Sequence, residues 1–266
     1  MKEIFFLSGF PRAGNTLLST ILNQNKDIAS TGHSILPDIF FEIEKIKNYN
    51  GIYQNFKTKD NIENIQKNVF KNYFQPWKQK YVIDRGEWAT PFNYSMLEKY
   101  CPNEIKIIFL LRDPIDVIKS YLELCNKYPN FYINNQYNSL DPTSLHKSEI
   151  EEKIELITKK DDLFDTICMS YNFIKNKKNV KFIHYKKLVT KPQSTIDEIY
   201  NFLDIPKFKH TFNIKNQFSI NNISYNDDII GAPMHTLHEG KVKNFSHPGI
   251  NIPSYIIKKY ERSFYD

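Results

Sequence analysis

The stretch FFLSGFPRAGNTLLSTIL, residues 5–22, restricts the fold more than any other part of the chain. Residues 4–8 (IFFLS) are a continuous apolar run ended by Gly9, the pattern of a strand covered on both faces. From Thr16 to Asn25, Leu17, Leu18, Ile21 and Leu22 recur at helical spacing. Strand, glycine loop and helix follow in that order, and the loop matches G-x-x-x-x-G-K-[ST] at Gly9, Gly14 and Thr16. Its backbone amides and the helix dipole make an anion site. The lysine that serves the outer phosphates of a nucleoside triphosphate is replaced by Asn15. Arg12 sits inside the loop instead, where a guanidinium can meet a terminal anionic group with two parallel hydrogen bonds. Asn15 and Thr16 offer neutral donors. The loop suits a phosphate-like group and is poorly equipped for Mg-assisted hydrolysis.

The stretches 81–85 (YVIDR) and 105–113 (IKIIFLLRD) predict further buried strands, and 180–189 (VKFIHYKKLV) predicts a fourth strand. Helix-compatible sequence follows them, including PIDVIKSYLELC and a helix from Gln193 to Leu203. The alternation predicts an α/β fold: a P-loop-like parallel sheet flanked by helices. Residues 38–75, amphipathic and helical, and 126–148, polar and rich in Tyr and Asn, read as helical and loop insertions that form an acceptor pocket, the second as a loop or lid. Residues 213–253 are rich in Asn, Gly and Pro, with little periodicity.

With 266 residues and 41% hydrophobic content, the chain can bury one sizeable core and is read as a single domain, 1–266. An aromatic share of 15% argues against disorder. The net charge of +6, spread over dispersed lysines, suits an anionic ligand without requiring nucleic acid. Cys101, Cys125 and Cys168 are too scattered for a disulfide framework and read as reduced thiols. The opening MKEIFFLSGF is too short for a signal-peptide core, and no run approaches the roughly eighteen apolar residues of a membrane span, so a cytoplasmic location is expected.

A second anion site is expected where KIIFLLRD runs into PIDVIKSY. Arg112 ends the strand, Pro114 suits the first helical turn and Ser120 lies eight residues beyond Arg112. Arginine and serine converge on one anion in such a geometry. A surface arginine capped by Asp113 or Asp116, with Ser120 solvated, is the alternative.

Together, GFPRAGNTLL and FLLRDPIDVIKSY resemble the PAPS-dependent sulfotransferase family, whose first element is the 5′-phosphosulfate loop and whose second binds the 3′-phosphate. HYKKLV and NFLDIP are similar to the segment that follows in that family, and the P-R-x-G-x-T loop is most like tyrosylprotein sulfotransferases and their bacterial relatives. The resemblance implies sulfuryl transfer from PAPS to a hydroxyl or amine acceptor with release of 3′,5′-ADP and without a metal. It implies that Arg12, Ala13, Gly14, Asn15, Thr16 and Leu17 hold the donor, with Arg12 neutralising charge as the bond breaks, and that Arg112 and Ser120 take the 3′-phosphate. Arg85 stands where relatives have a lysine on the transferring group; a guanidinium stabilises charge there but is no general acid. A salt bridge to Asp84 or Glu87 is its alternative. For the base, Glu87 matches the histidine position of cytosolic sulfotransferases, and His33 falls near the glutamate position of tyrosylprotein sulfotransferases. Tyr185 and Lys241 match nucleotide-contacting positions. His235 and His238 have metal-compatible spacing but lack a third ligand, and read as unliganded. The acceptor class, whether small molecule, glycan, lipid or peptide, is open, and the rival readings are a P-loop small-molecule kinase and an inactive nucleotide-binding module.

Overall fold

The computed structural model describes residues 2–144, 146–160, 163–245, 247 and 249–261. β1 (Glu3–Gly9) leads through the glycine loop to α1 (Asn15–Leu22) and β2 (Ile28–Ser30). Three helices follow, α2 (Leu36–Tyr49), α3 (Gly51–Asn55) and α4 (Lys59–Tyr73), before β3 (Tyr81–Arg85) and α5 (Pro91–Tyr100). Next come β4 (Ile107–Leu111), α6 (Pro114–Lys127), α7 (Tyr132–Asn138), α8 (Glu149–Glu155), a π turn and α9 (Leu163–Ile174). The chain continues through β5 (Val180–His184), α10 (Tyr185–Thr190) and α11 (Pro192–Leu203). A short antiparallel ribbon of β6 (Asn213–Ile214) and β7 (Gly240–Lys241) precedes α12 (Ser254–Glu261).

The sheet is parallel, in the order β2-β3-β1-β4-β5. β1 is central, with Phe5 opposite Ile83 on one side and Phe6 opposite Ile107 on the other. Ile4 to Leu7 are all buried because helices cover both faces, which is why the strand reads as an unbroken apolar run. Thr90 caps α5 and Asp113 caps α6, where its Oδ1 accepts from the amides of Ile115 (2.7 Å) and Asp116 (3.3 Å) beside Pro114 at the first turn.

The two segments read as pocket-forming insertions contribute helices that pack on the sheet and its neighbours. α2 and α4 deliver Phe40 and Phe70 to the sheet face, where they meet Trp88 and Phe6 with ring centroids 5.2 to 6.4 Å apart. Edge and tilted contacts of this kind add to the area these rings bury. Residues 126–148 are not a lid of irregular chain either, because α7 forms there, anchored by buried Phe131 and Ile133. The fourth strand stops at His184, opposite Leu111, where β4 ends, and the rest of the 180–189 run turns into α10 with Leu188 and Val189 buried. No helix among the described residues is long and apolar enough to cross a membrane.

Candidate functional site

Parallel strands present all their carboxyl ends on one side, and a ligand crevice forms where the chain's direction of winding changes there. In this sheet β1 ends in the glycine loop, β3 ends in Arg85, Arg112 follows β4 and Tyr185 follows β5. These residues line a cavity of about 490 Å³, together with Gly14, Asn15, Thr16, Leu17, His33, Glu87, Ser120 and Lys241. Ala13 is not in its wall; it is buried under the loop with its amide donating to the Phe10 carbonyl at 3.3 Å. Neither 38–75 nor 126–148 contributes a lining residue. The remaining wall comes from α9 and from residues 214–247.

The loop holds unusual backbone angles. Gly14 caps α1 in the left-handed region at φ 87°, with the Tyr185 ring 3.0 Å from where a Cβ would stand. Arg12 is also left-handed at φ 60°. Its Nε donates to Ser120 Oγ at 3.1 Å and its terminal nitrogen donates to the Met234 carbonyl. Ser120 therefore sits with Arg12 and not with Arg112, a different pairing from the one its spacing predicts. The Asn15 side-chain amide donates to the Phe10 carbonyl at 2.8 Å, leaving Oδ1 buried with no hydrogen-bond partner among the described residues. Asn15 thus closes the loop with its side chain, and what it has left for an anion is its backbone N–H.

Arg112 is held in three ways. One terminal nitrogen donates to the Arg12 carbonyl at 2.5 Å, the other donates to His247 Nε2 at 3.3 Å, and the guanidinium lies 4.6 Å from the centre of the Tyr185 ring. A guanidinium only donates, so His247 Nε2 accepts, and the Nδ1–H donates to Glu123. Arg112 Nε is buried with no hydrogen-bond partner among the described residues. Asp113 is occupied as the α6 cap, Arg112 forms no ion pair with Asp113 or Asp116 among the described residues, and Ser120 is buried, so a capped surface arginine beside a solvated Ser120 does not describe this corner.

Arg85 does not pair with Asp84 or Glu87. It donates to the Gly32 carbonyl and to Tyr225 Oη at 2.8 Å, and Tyr225 in turn donates to Gly32 at 2.5 Å. Among the described residues no carboxylate forms an ion pair with Arg12, Arg85 or Arg112; all their partners are neutral. Burial lowers the proton affinity of Arg12 and Arg112, and for Arg12 the charge of Arg112 adds to the effect. Buried cations without counter-charge are costly in isolation. A multiply charged anion would supply what the protein leaves out.

The model of the sulfotransferase family matches residues 5–210. The chain belongs to the sulfotransferase family. It is 24% identical over 213 residues to a putative protein-tyrosine sulfotransferase of Caenorhabditis briggsae, an alignment that covers 77% of this chain and 66% of that protein, just under two thirds of its length. Among solved structures it is similar in fold to the sulfotransferase domain of the Synechococcus PCC 7002 olefin synthase, with a TM-score of 0.56, 14% identity and coverage of 100% of this chain and 95% of that one. The sulfotransferase domain from the curacin biosynthetic pathway gives a TM-score of 0.50 at 18% identity, covering 78% of this chain and 75% of that one.

Several site residues of this sulfotransferase escape sequence reasoning, and all lie in the segment read as an aperiodic tail: Tyr225, the Met234 carbonyl, His247 and the pair His235–Asp227. His235 Nδ1 is 2.6 Å from Asp227 Oδ1, and its backbone amide donates to Oδ2 at 2.8 Å. His238, three residues on, stacks on Phe245 at 4.1 Å. The signals in that segment were Lys241, from the family resemblance, and the spacing of the two histidines, which have separate neighbours in the fold.

Beneath Arg85, Asp84 is fully buried, accepting from Thr31 Oγ1 (3.3 Å) and Trp88 Nε1 (3.0 Å), and burial pushes its pKa up to about 7 despite those bonds. The folded state then binds a proton more readily than the unfolded chain, so this carboxyl costs stability as pH rises through the interval from its ordinary value to about 7. Asp84→Asn should therefore gain stability relative to the parent between about pH 4 and pH 8, by up to about 4 kcal/mol. Urea unfolding of both proteins across that range measures the difference, and a pH-independent difference would refute the ionisation.

Proposed function

We propose that the chain, acting as one sulfotransferase domain over 1–266, transfers a sulfuryl group from PAPS to a hydroxyl acceptor and releases 3′,5′-ADP. The observation that carries this reading is the cavity's two guanidinium groups, Arg12 in the glycine loop and Arg112 beyond β4, both lacking a carboxylate partner among the described residues. A donor with a phosphosulfate at one end of its ribose and a phosphate on the other side needs two such groups. It has no γ-phosphate, which accounts for Asn15 in place of the loop lysine.

The donor supplies an activated sulfuryl group on a good leaving phosphate. Arg12, with the backbone amides of Gly14 to Leu17, holds the phosphosulfate; Arg112, with its unpartnered Nε, and the Ser120 hydroxyl serve the phosphates; Tyr185 and Lys241 border the nucleotide. Arg85 faces the transferring group and stabilises its charge. Positioning and fixed positive charge carry most of the rate enhancement. The family resemblance offers Glu87 and His33 for deprotonating the acceptor, and both line the cavity. Burial raises the Glu87 pKa, whereas burial and the charges of Arg85 and His235 lower His33 to about 4, which makes it a feeble base near neutrality. Among the described residues neither side chain has a hydrogen-bond partner to orient it.

Isothermal titration with 3′,5′-ADP, 5′-AMP and ATP-Mg tests the donor site. We expect 3′,5′-ADP to bind most tightly and Arg112→Ala to weaken it about 10- to 100-fold, the value of a hydrogen bond to a charged group. Preference for ATP-Mg, or indifference to the 3′-phosphate, would overturn the assignment in favour of a kinase.

A further inference from the structure

We infer that His235, oriented by Asp227, is the general base that takes the acceptor's proton. The inference rests on the sulfotransferase reading and goes beyond the two bases that the family resemblance supplies.

His235 is held on three sides. A carboxylate only accepts, so the 2.6 Å contact with Asp227 Oδ1 places a proton on His235 Nδ1 and leaves Nε2 with its lone pair. The second carboxylate oxygen takes the backbone amide of the same residue, so ring and main chain are tied to one anchor. The ring also lies flat on Tyr225, with centroids 3.7 Å apart and planes within 1°. His235 lines the cavity while Asp227 does not, so the edge that reaches the cavity is the Nε2 edge.

Its place among the reacting groups is equally restricted. The preceding residue, Met234, accepts from Arg12, and the ring's stacking partner, Tyr225, accepts from Arg85. The histidine is thereby flanked by both cations assigned to the transferring group. The charged and titratable groups facing it are Asp227 from its own segment, Arg12 from the glycine loop, Arg85 from the end of β3, and His33. Burial, Arg85 and Arg12 lower its pKa against the opposing pull of Asp227, which keeps the imidazole neutral at physiological pH, the form a base requires. A base fixed in one tautomer by a carboxylate is the arrangement that activates hydroxyl nucleophiles on unrelated folds.

The step balances as follows. The acceptor oxygen forms a bond to sulfur while its O–H proton passes to His235 Nε2. The bond from sulfur to the bridging oxygen breaks, and its electron pair leaves on the 5′-phosphate of 3′,5′-ADP. Asp227 offsets the imidazolium charge until the proton is lost to solvent. Asp227 is a positioning residue in this scheme.

Phenols of graded acidity make the test. With 4-nitrophenol, largely ionised at about pH 8, His235→Gln should lose less than about tenfold in transfer from PAPS; with phenol, whose pKa is about 10 like tyrosine, it should lose about 10²- to 10⁴-fold. Asp227→Asn should show the same dependence on acceptor acidity with a smaller loss. A nitrogen NMR spectrum of the histidine side chains in the 3′,5′-ADP complex should show His235 neutral and protonated on Nδ1, and Asp227→Asn should disturb that tautomer. An equal loss for both phenols, or a His235 protonated on Nε2, would overturn the base. Binding of 3′,5′-ADP without transfer to any phenol would overturn the dyad as a base for hydroxyl acceptors while leaving the donor site standing; absence of 3′,5′-ADP binding would instead overturn the donor site. Retained 3′,5′-ADP affinity in His235→Gln separates loss of the base from loss of folding.

Discussion

Gly9→Ala should destabilise the protein by more than about 4 kcal/mol, enough to leave little folded chain. Gly9 ends β1 at φ 141°, a conformation that side chains rarely adopt, and a Cβ there would stand 2.5 Å from the Leu110 nitrogen and 2.8 Å from its Cα. The obstacle is backbone of the adjacent strand, so no side chain can swing aside. Relief requires parting β1 from β4, which breaks the 2.9 Å bond from the Phe10 amide to the Leu110 carbonyl and moves the loop off its helix. The urea midpoint followed by circular dichroism measures the loss. Gly51→Ala is the control, since nothing lies within 4 Å of a Cβ there and alanine favours the helix it begins. A Gly9→Ala midpoint equal to the control's would refute the close approach of the strands.

Arg12→Ala should lower the rate of sulfuryl transfer by about 10²- to 10³-fold while the protein remains folded, the scale of removing one preorganised donor from a developing charge. Arg12→Lys should recover little. The native guanidinium satisfies Ser120 Oγ and the Met234 carbonyl from one rigid plane and keeps its remaining N–H groups for the ligand, whereas an ammonium is a single point with three donors on a flexible stem. Initial rates with radiolabelled PAPS, beside a thermal melt of each variant, separate the catalytic loss from instability. A lysine variant with parental rates would mean that only net charge matters at this position.

Both positions belong to the part of the molecule that was most legible in advance. β1, β3 and β4 are buried on both faces, so each writes itself into the chain as a run of apolar residues, and the loop after β1 carries its glycines at fixed spacing. β2 was invisible because three residues are too few to show a pattern. The 180–189 segment predicts one strand because Val180, Phe182, Ile183, Leu188 and Val189 carry apolar residues to its end, yet β5 stops at His184 opposite the end of β4 and α10 follows. α7 hid in YINNQYN, whose helix is secured by neighbouring Phe131 and by a single inward Ile133 rather than by a full apolar stripe. The cations of the site were readable since Arg12 sits in the glycine loop while Arg85 ends β3 and Arg112 follows β4. Their late partners were not: Tyr225, Met234 and His247 reach the cavity through loop geometry, and Asp227 and His235 meet across a short turn ended by Gly231 rather than along one helix or strand.

The contacts of that late segment divide authorship of the site. The matched family region ends at residue 210, yet Met234, Tyr225 and His247, which grip Arg12, Arg85 and Arg112 in turn, all come after it. The matched region contributes the three cations and part of what holds them, Ser120, the Gly32 and Arg12 carbonyls and the Tyr185 ring, and the later segment adds one further contact to each. Each guanidinium is thus clamped between stretches far apart in sequence, so the cavity gains its charged shape only once the later segment has folded back over the strand ends.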